Sequence, residues 1–248
     1  MTLDVLLKYI NYISTKENTG STLKPTEFNT ILESVNVDLF NKLVLDAQLY
    51  ALQSKMPLSK AIYEFKALRD FRRSSTISFT TGSYALSGLT DYGYWLAMIS
   101  NYNGSMTKID IITDDELEER RSNLLSKSLS DYPAAVINNK TIYVYPSNIT
   151  SADFTYLKIP TKPVYDYYTN QYQIRIYLNP GDSHLLTSGE IGSAGQTSGT
   201  TVTSNTVELE YNQLYHIDFA VQILQRVGVN LKDVQLKEYI KEAEGNKV

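Results

Sequence analysis

The sequence predicts an α+β protein: a helical bundle from the N- and C-terminal helices with an inserted antiparallel β-rich lobe. Three observations predict it. Apolar residues recur every three or four positions near both chain ends, which marks helices with one buried face. The middle of the chain alternates and is punctuated by Gly, Pro and Asn, as strands and tight turns are. The two textures are segregated rather than interleaved, which argues against alternating α/β. The expected layout is 1–72 for the N-terminal helices, 73–209 for the β-rich lobe, and 210–248 for the C-terminal helices that complete the bundle. The lobe carries one helix at about 113–129 and a Ser/Thr/Gly loop at 183–205.

Taken in order, Leu3, Leu6, Leu7, Ile10 and Ile13 define the stripe of a first helix, ended by the polar run Thr15 to Lys24. Pro25 suits a first helical position, and Glu27 favours the positive helix start. Phe28, Ile31, Leu32, Val35 and Leu39 continue the helical period to about Leu52. Pro57 opens a third helix with Leu58, Ala61, Ile62, Phe65 and Leu68 on one face. Ile77, Phe79 and Thr81 then alternate as a strand. Gly82, Gly88, Gly93 and Gly104 punctuate a Tyr-rich region around Tyr94 to Ile99, and Lys108 to Ile112 reads as a short strand. Thr113, Asp114, Asp115 and Glu116 form a capping box for the lobe's helix, which continues through Leu117, Leu124 and Leu125 to about Leu129.

From Ala134 to Pro160 the pattern is a strand, a tight Asn138-Asn139 turn, a Tyr-rich strand stopped by Pro146, and a third strand stopped by Pro160. These three predict a small antiparallel sheet. Ile174, Ile176 and Leu178 make a further strand, closed by the turn Asn179-Pro180-Gly181-Asp182. Ser183 to Asn205 reads as a long flexible loop or an extended hairpin arm. Leu214, Ile217, Val221 and Leu224 restore the helical period until Gly228, and Leu236, Tyr239, Ile240 and Ala243 mark a last helix.

Composition bounds the chemistry. There is no cysteine, which excludes disulfide scaffolds, thiolate metal sites and cysteine nucleophiles. Net charge is −4, the wrong balance for a protein that grips duplex phosphates and a suitable one for a wall that DNA slides past. No segment approaches the roughly 20 apolar residues of a membrane span. The N-terminus lacks a basic start and a cleavage site, so it reads as a helix and not a signal peptide. The Asn-x-Ser/Thr triplets at Asn103, Asn139 and Asn148 are read as chance. Tyrosine is in surplus, 20 against 7 Phe and 1 Trp. Half-wet interfaces would explain that, and so would codon bias in an AT-rich genome.

No cofactor or metal is expected. Gly189, Gly192, Gly195 and Gly199 lack the Lys-Ser/Thr of a phosphate-cradling loop, and Gly199 is followed by Thr-Thr-Val. The acids Asp114, Asp115, Glu116, Glu118 and Glu119 suit a solvated helix start, with Glu116 placed to pair with Arg120. His184 lies beside Asp182 and Ser183, but no nucleophile elbow accompanies them. His216, with Tyr215 and Asp218, reads as a surface or interface residue. Arg69, Arg72 and Arg73 form a basic run that suits a phosphate, the acids of a neighbouring subunit, or plain solvent. With no catalytic set, the chain reads as a structural or binding protein. A polysaccharide-binding or hydrolytic protein is the third class, since exposed aromatics suit sugars.

The segment INNKTIYVYPSNITSADFTYLKIPTKP resembles the head-to-tail adaptor, or ring, proteins of tailed bacteriophages, most nearly those of crAss-like phages of gut Bacteroides. The positions that carry the likeness are Ile142, Val144, Tyr145, Pro146, Tyr156 and Pro160. The helix start at Pro25, Phe28 and Asn29 and the helix of Tyr211 to Val227 are similar to that family as well. The loop at 183–205 has no counterpart in the pattern. The resemblance implies a structural virion protein at the neck or tail of a phage particle, made in the host cytoplasm. It implies a ring of about twelve copies, contacts with the portal protein and other tail or ring proteins, and genomic DNA passing through the lumen without sequence-specific binding. The runner-up within the particle is another tail, baseplate or minor capsid component. The interface candidates are Tyr143, Tyr145 and Tyr156 in the lobe, Arg69, Arg72 and Arg73, and Ser188, Gly192 and Thr200 in the loop.

Overall fold

The computed structural model describes residues 1–16, 22–102, 105–122 and 132–227. Its helices are α1 (Leu3–Lys16), α2 (Pro25–Gln53), α3 (Leu58–Glu64), α4 (Lys66–Arg69), α5 (Asp114–Ser122) and α6 (His216–Arg226). Its strands are β1 (Arg72–Ser78), β2 (Ser83–Ala85), β3 (Tyr92–Tyr102), β4 (Ser105–Ile111), β5 (Ala134–Asn138), β6 (Thr141–Tyr145) and β7 (Ser151–Lys158). Five short ones follow: β8 (Tyr167–Thr169), β9 (Arg175–Tyr177), β10 (Ser183–Leu185), β11 (Ile191–Gly192) and β12 (Thr201–Thr203). The chain forms two compact units, Asp46–Ile159 and the remainder on either side of it.

The Asp46–Ile159 unit is built on a seven-stranded sheet of order β1-β7-β3-β4-β5-β6-β2. Neighbours are antiparallel except β4 and β5, which run parallel and are linked through α5. The two edge strands, β1 and β2, are consecutive in sequence. Thr80 and Ser83 bridge the turn between them, and the Gly82 carbonyl accepts from Val144 N at 2.8 Å. The sheet therefore curls on itself. Gly82 is required there: its φ is +74°, and an added Cβ would stand 2.9 Å from Ser147 Cβ. The concave face encloses one core, with Ile77, Met98, Ile109, Ile142, Val144 and Phe154 at its centre. Period-2 alternation puts these side chains inward from five different strands. Outside, α3 packs on β3 and α5 packs on β5.

The other unit holds α1, the first part of α2, α6 and the small strands. α1 packs on α6, burying Leu3, Leu6 and Ile10 from one and Phe219, Ile223 and Leu224 from the other. Side-chain amides fix the extended chain to α2. Asn29 Nδ2 donates to Tyr165 O (3.0 Å) while its Oδ1 accepts from Tyr165 N (2.8 Å), and the Phe28 ring meets Tyr165 edge-on at 5.8 Å. Asn36 Nδ2 donates to Thr161 O (3.1 Å), and Tyr211 Oη donates to Asn36 O (2.8 Å). β11-β8-β9 form one small sheet, and β10 pairs with β12.

The expected architecture is overturned. No helical bundle with a β insert forms; the molecule is organised on the curled seven-stranded sheet and two smaller sheets. The α1 stripe is buried at Leu3, Leu6, Leu7 and Ile10, but α6 buries Phe219, Ala220, Ile223 and Leu224, while Leu214 is exposed and Ile217 and Val221 are half-buried; in either case a stripe states at most which face is buried and not what covers it. The three strands of 134–160 do not form one antiparallel sheet either. β5 and β6 pair, whereas β7 lies between β1 and β3. The hairpin turn is Asn139-Lys140, one residue later than expected, with φ of 48° and 61° as a type I′ turn requires. The third helix breaks at Phe65, whose ψ of 102° is extended, giving α3 and α4. Of the two readings of 183–205, the hairpin arm is the nearer: β10 and β12 pair antiparallel, with β11 between them in sequence, and the segment is not a structureless loop. Expectations for Asn103, Gly104, Leu124, Leu125, Leu129, Gly228 and the last helix at Leu236 to Ala243 lie outside the described residues.

Candidate interaction surfaces

The tyrosine candidates do not form one patch. Tyr143 and Tyr145 lie on β6, between β5 and β2, and Tyr156 lies on β7, between β1 and β3. Tyr143 is 41% exposed, on the convex side. Tyr145 is half-buried, with the Arg121 guanidinium 4.6 Å above its ring. Tyr156 is 5% exposed and is a core residue. It packs between Phe154 (5.7 Å) and Tyr92 (5.9 Å), and its hydroxyl donates to Asp91 Oδ1 at 2.9 Å. Burial, reinforced by the Asp91 carboxylate, pushes its phenol up to about 12. The motif that carries the family likeness is thus largely a packing motif: Ile142, Val144 and Tyr156 all point into the curled sheet.

Arg69 ends α4, and Arg72 and Arg73 open β1; all three are exposed, as is Lys66. Arg73 donates to the carbonyls of Asp70 (3.2 Å) and Arg72 (3.1 Å). None of the four forms an ion pair among the described residues. At the start of α5 the capping box is made in both directions. Thr113 N donates to Glu116 Oε2 (2.9 Å), and Glu116 N donates to Thr113 Oγ1 (3.3 Å). The expected Glu116–Arg120 pair does not form. Arg120 instead bonds Asp110 Oδ2 at 3.2 Å, and Lys108 Nζ lies 3.3 Å from Asp110 Oδ1.

Between α5 and the start of α3 the convex face of β3 and β4 forms an open groove of about 490 Å³. Pro57 and Leu58 make one wall, Glu116 and Arg120 the other, and Trp95 and Ala97 the floor. Trp95 is 43% exposed. Further along the same face stand Ile99, opposite Lys108, and Met106, opposite Asn101 and 64% exposed. Nothing in a single sequence assigned Trp95 to this groove. The available signal was the chain's one tryptophan beside Tyr94, in a strand whose register shifts between Trp95 and Ala97.

The loop candidates sit in an ordered module. Ser188 is exposed, Gly192 is buried in β11, and Thr200 is exposed with its carbonyl accepting from Leu186 N at 3.0 Å. They do not converge on one point of chemistry. His184 Nε2 lies 2.9 Å from Glu190 Oε2 and its ring stacks on Tyr168 at 4.0 Å. Thr187 N donates to Glu190 at 2.7 Å, and that bond, with His184, holds the carboxyl below its usual range. Buried Asp166 accepts from Ser193 Oγ (2.5 Å) and Asn205 N (2.9 Å) and ties the module together. Asp182 caps Asn179, so Asp182, Ser183 and His184 make no triad. His216 is buried, not a surface residue; Nε2 lies 2.9 Å from Tyr211 O, and burial lowers its pKa.

Other apolar side chains are exposed in ordered rows. Val5, Tyr9 and Tyr12 make an i, i+4, i+7 stripe on α1. At the β8–β9 hairpin tip, Asn170 Oδ1 accepts from Tyr172 N (3.0 Å) and Ile174 N (2.9 Å), holding out Tyr172, which is 71% exposed. Among the described residues no group of three or more His, Cys, Asp or Glu could hold a metal ion, and no helix is long and apolar enough to cross a membrane. No protein-family model matches the chain, and none of the curated proteins compared with it shows significant similarity.

Proposed function

We propose that this protein is a structural virion subunit of a tailed bacteriophage, a head-to-tail adaptor. About twelve copies close into a ring that joins portal to tail and lets DNA pass. One observation carries the reading: large apolar side chains are exposed in rows, on more than one preformed element. Singly scattered apolar residues need no explanation. A helical stripe such as Val5, Tyr9 and Tyr12, and the diagonal pair Ile99 and Met106 further along the face that carries Trp95, are a different matter. Rows of this kind mark surfaces that another protein covers. A closed ring needs a heterologous contact, in which one face meets a different face of the next copy, and exposed rows on separate elements supply such faces. The resemblance around Ile142 to Pro160 and the net charge of −4 agree with a neutral-to-acidic conduit that does not hold phosphates.

The test is position in a particle. Antibody labelling of purified phage that carries this chain should place it at the neck, between capsid and tail. Label at the distal tip would move it to the tail or baseplate, and particles without label would remove the virion reading.

A further inference from the structure

We propose that the groove over β3 and β4 receives the basic corner formed by Lys66, Arg69 and Arg72 of a second copy of this chain. The inference rests on the ring reading and names the contact that would close the ring. The two features belong to the same unit but lie apart on it. The corner stands at the α4–β1 junction, on an edge strand, whereas the groove floor is two and three strands away, about 10–14 Å at the usual strand spacing. A contact between them is therefore heterologous, and each docked copy presents a free corner or a free groove to the next.

Charge argues for this occupant. On the corner, Lys66, Arg69 and Arg72 are exposed and have no carboxylate partner among the described residues. On the groove side, Lys108 and Arg120 share the single carboxylate of Asp110, and Glu116 on the same wall offsets the positive charge left over. What remains beside the groove is acidic. Asp115 and Glu119 are exposed on the stripe of α5 next to Glu116 and Arg120, and neither forms an ion pair among the described residues. Among the described residues Asp114 meets only the Asn138 amide, at 3.4 Å. The floor adds Trp95, whose half-open ring face suits a guanidinium, and Arg is the cation that stacks best on such a ring. An apolar floor with an acidic rim fits an arginine-bearing corner better than it fits a neutral ligand.

Sedimentation velocity on the full chain tests the proposal with two charge-reversed variants, Arg69→Glu with Arg72→Glu, and Asp115→Lys with Glu119→Lys. All four side chains are exposed, and far-UV circular dichroism checks that each variant folds. Each variant alone should associate at least about tenfold more weakly than the wild type, because like charges then face each other. An equimolar mixture of the two should regain association, since the reversed corner of one fits the reversed groove of the other. Trp95, the chain's single tryptophan, gives a second readout that needs no variant. Its emission should shift to the blue as wild-type concentration rises, and should do so again in the mixture. Wild-type association with unchanged emission, variants that associate like the wild type, or a mixture that stays apart would each overturn this contact while leaving a ring built on another face. A wild type that never associates would overturn the contact and the ring together.

Discussion

Phe154 and Tyr156 stand two residues apart on β7 and enter the same core, yet they answer to different conditions. Phe154 is fully buried, so Phe154→Ala should lower unfolding stability by about 3–5 kcal/mol in urea titrations, while Tyr143→Ala, on the convex face, should change it by less than about 0.5 kcal/mol. Tyr156 has a raised folded pKa, so its contribution is complete below about pH 10, the ordinary value, and is lost as pH rises toward about 12. His216 works in the other direction. Burial depresses its folded pKa below the ordinary 6.5, so the unfolded chain binds more protons in that window and stability falls as pH drops through it. Melting temperatures at pH 7 and pH 5 should show a larger loss for the wild type than for His216→Gln; equal slopes would remove His216 from the account. Some of these residues were readable and some were not. In the sequence Asn29 reads only as part of a helix start, and the backbone of Tyr165 that it bonds on both sides is 136 residues away. Local pattern carries no information on such partners. The same limit makes Tyr156 read as an interface candidate and His216 as a surface or interface residue, because a polar tip on an aromatic ring fits the core as well.

The elements were legible where their signals are local. The capping box at Thr113 and Glu116 formed as the residue types require, and Thr113→Ala should cost about 1 kcal/mol by removing the acceptor for Glu116 N. The β5–β6 hairpin was legible to within one residue. Its turn puts Lys140 at φ 61°, a conformation that disfavours a side chain with a Cβ and no local hydrogen bond of its own. Lys140→Gly should therefore raise stability by about 1 kcal/mol, read as a higher urea midpoint. Other elements hid their character. β1 reads Arg-Arg-Ser-Ser-Thr-Ile-Ser, with a single buried side chain at Ile77, because it is an edge strand with a solvated outer side. β8 to β12 have only two or three residues each, too few for periodicity to appear. The Ser/Thr/Gly composition of 183–205 fits a flexible loop or a hairpin arm equally well; hydrogen bonds to Asp166, Glu190 and Leu178, together with a small apolar cluster of Leu178, Leu186 and Val202, order it.

At the scale of the molecule, strand partners decide the architecture, and no strand announces its partner. The chain places β7 between β1 and β3 and closes the sheet's curl by the tight turn at Gly82, so three elements far apart in sequence share one core. That is why segregated textures pointed to a bundle with an insert while the curled sheet is the organising element. The groove with Trp95 and the exposed rows of apolar side chains on α1 and along β3 and β4 are the features on which the proposed assembly rests. Because the basic corner and the acidic rim both lie at the surface, association should also weaken as salt is raised and the Debye length shortens. The most direct test is native mass spectrometry of the purified chain over a range of concentrations. A closed assembly of about twelve copies is the predicted result; a mass that stays at one copy at every concentration, with or without a portal protein present, would contradict the account.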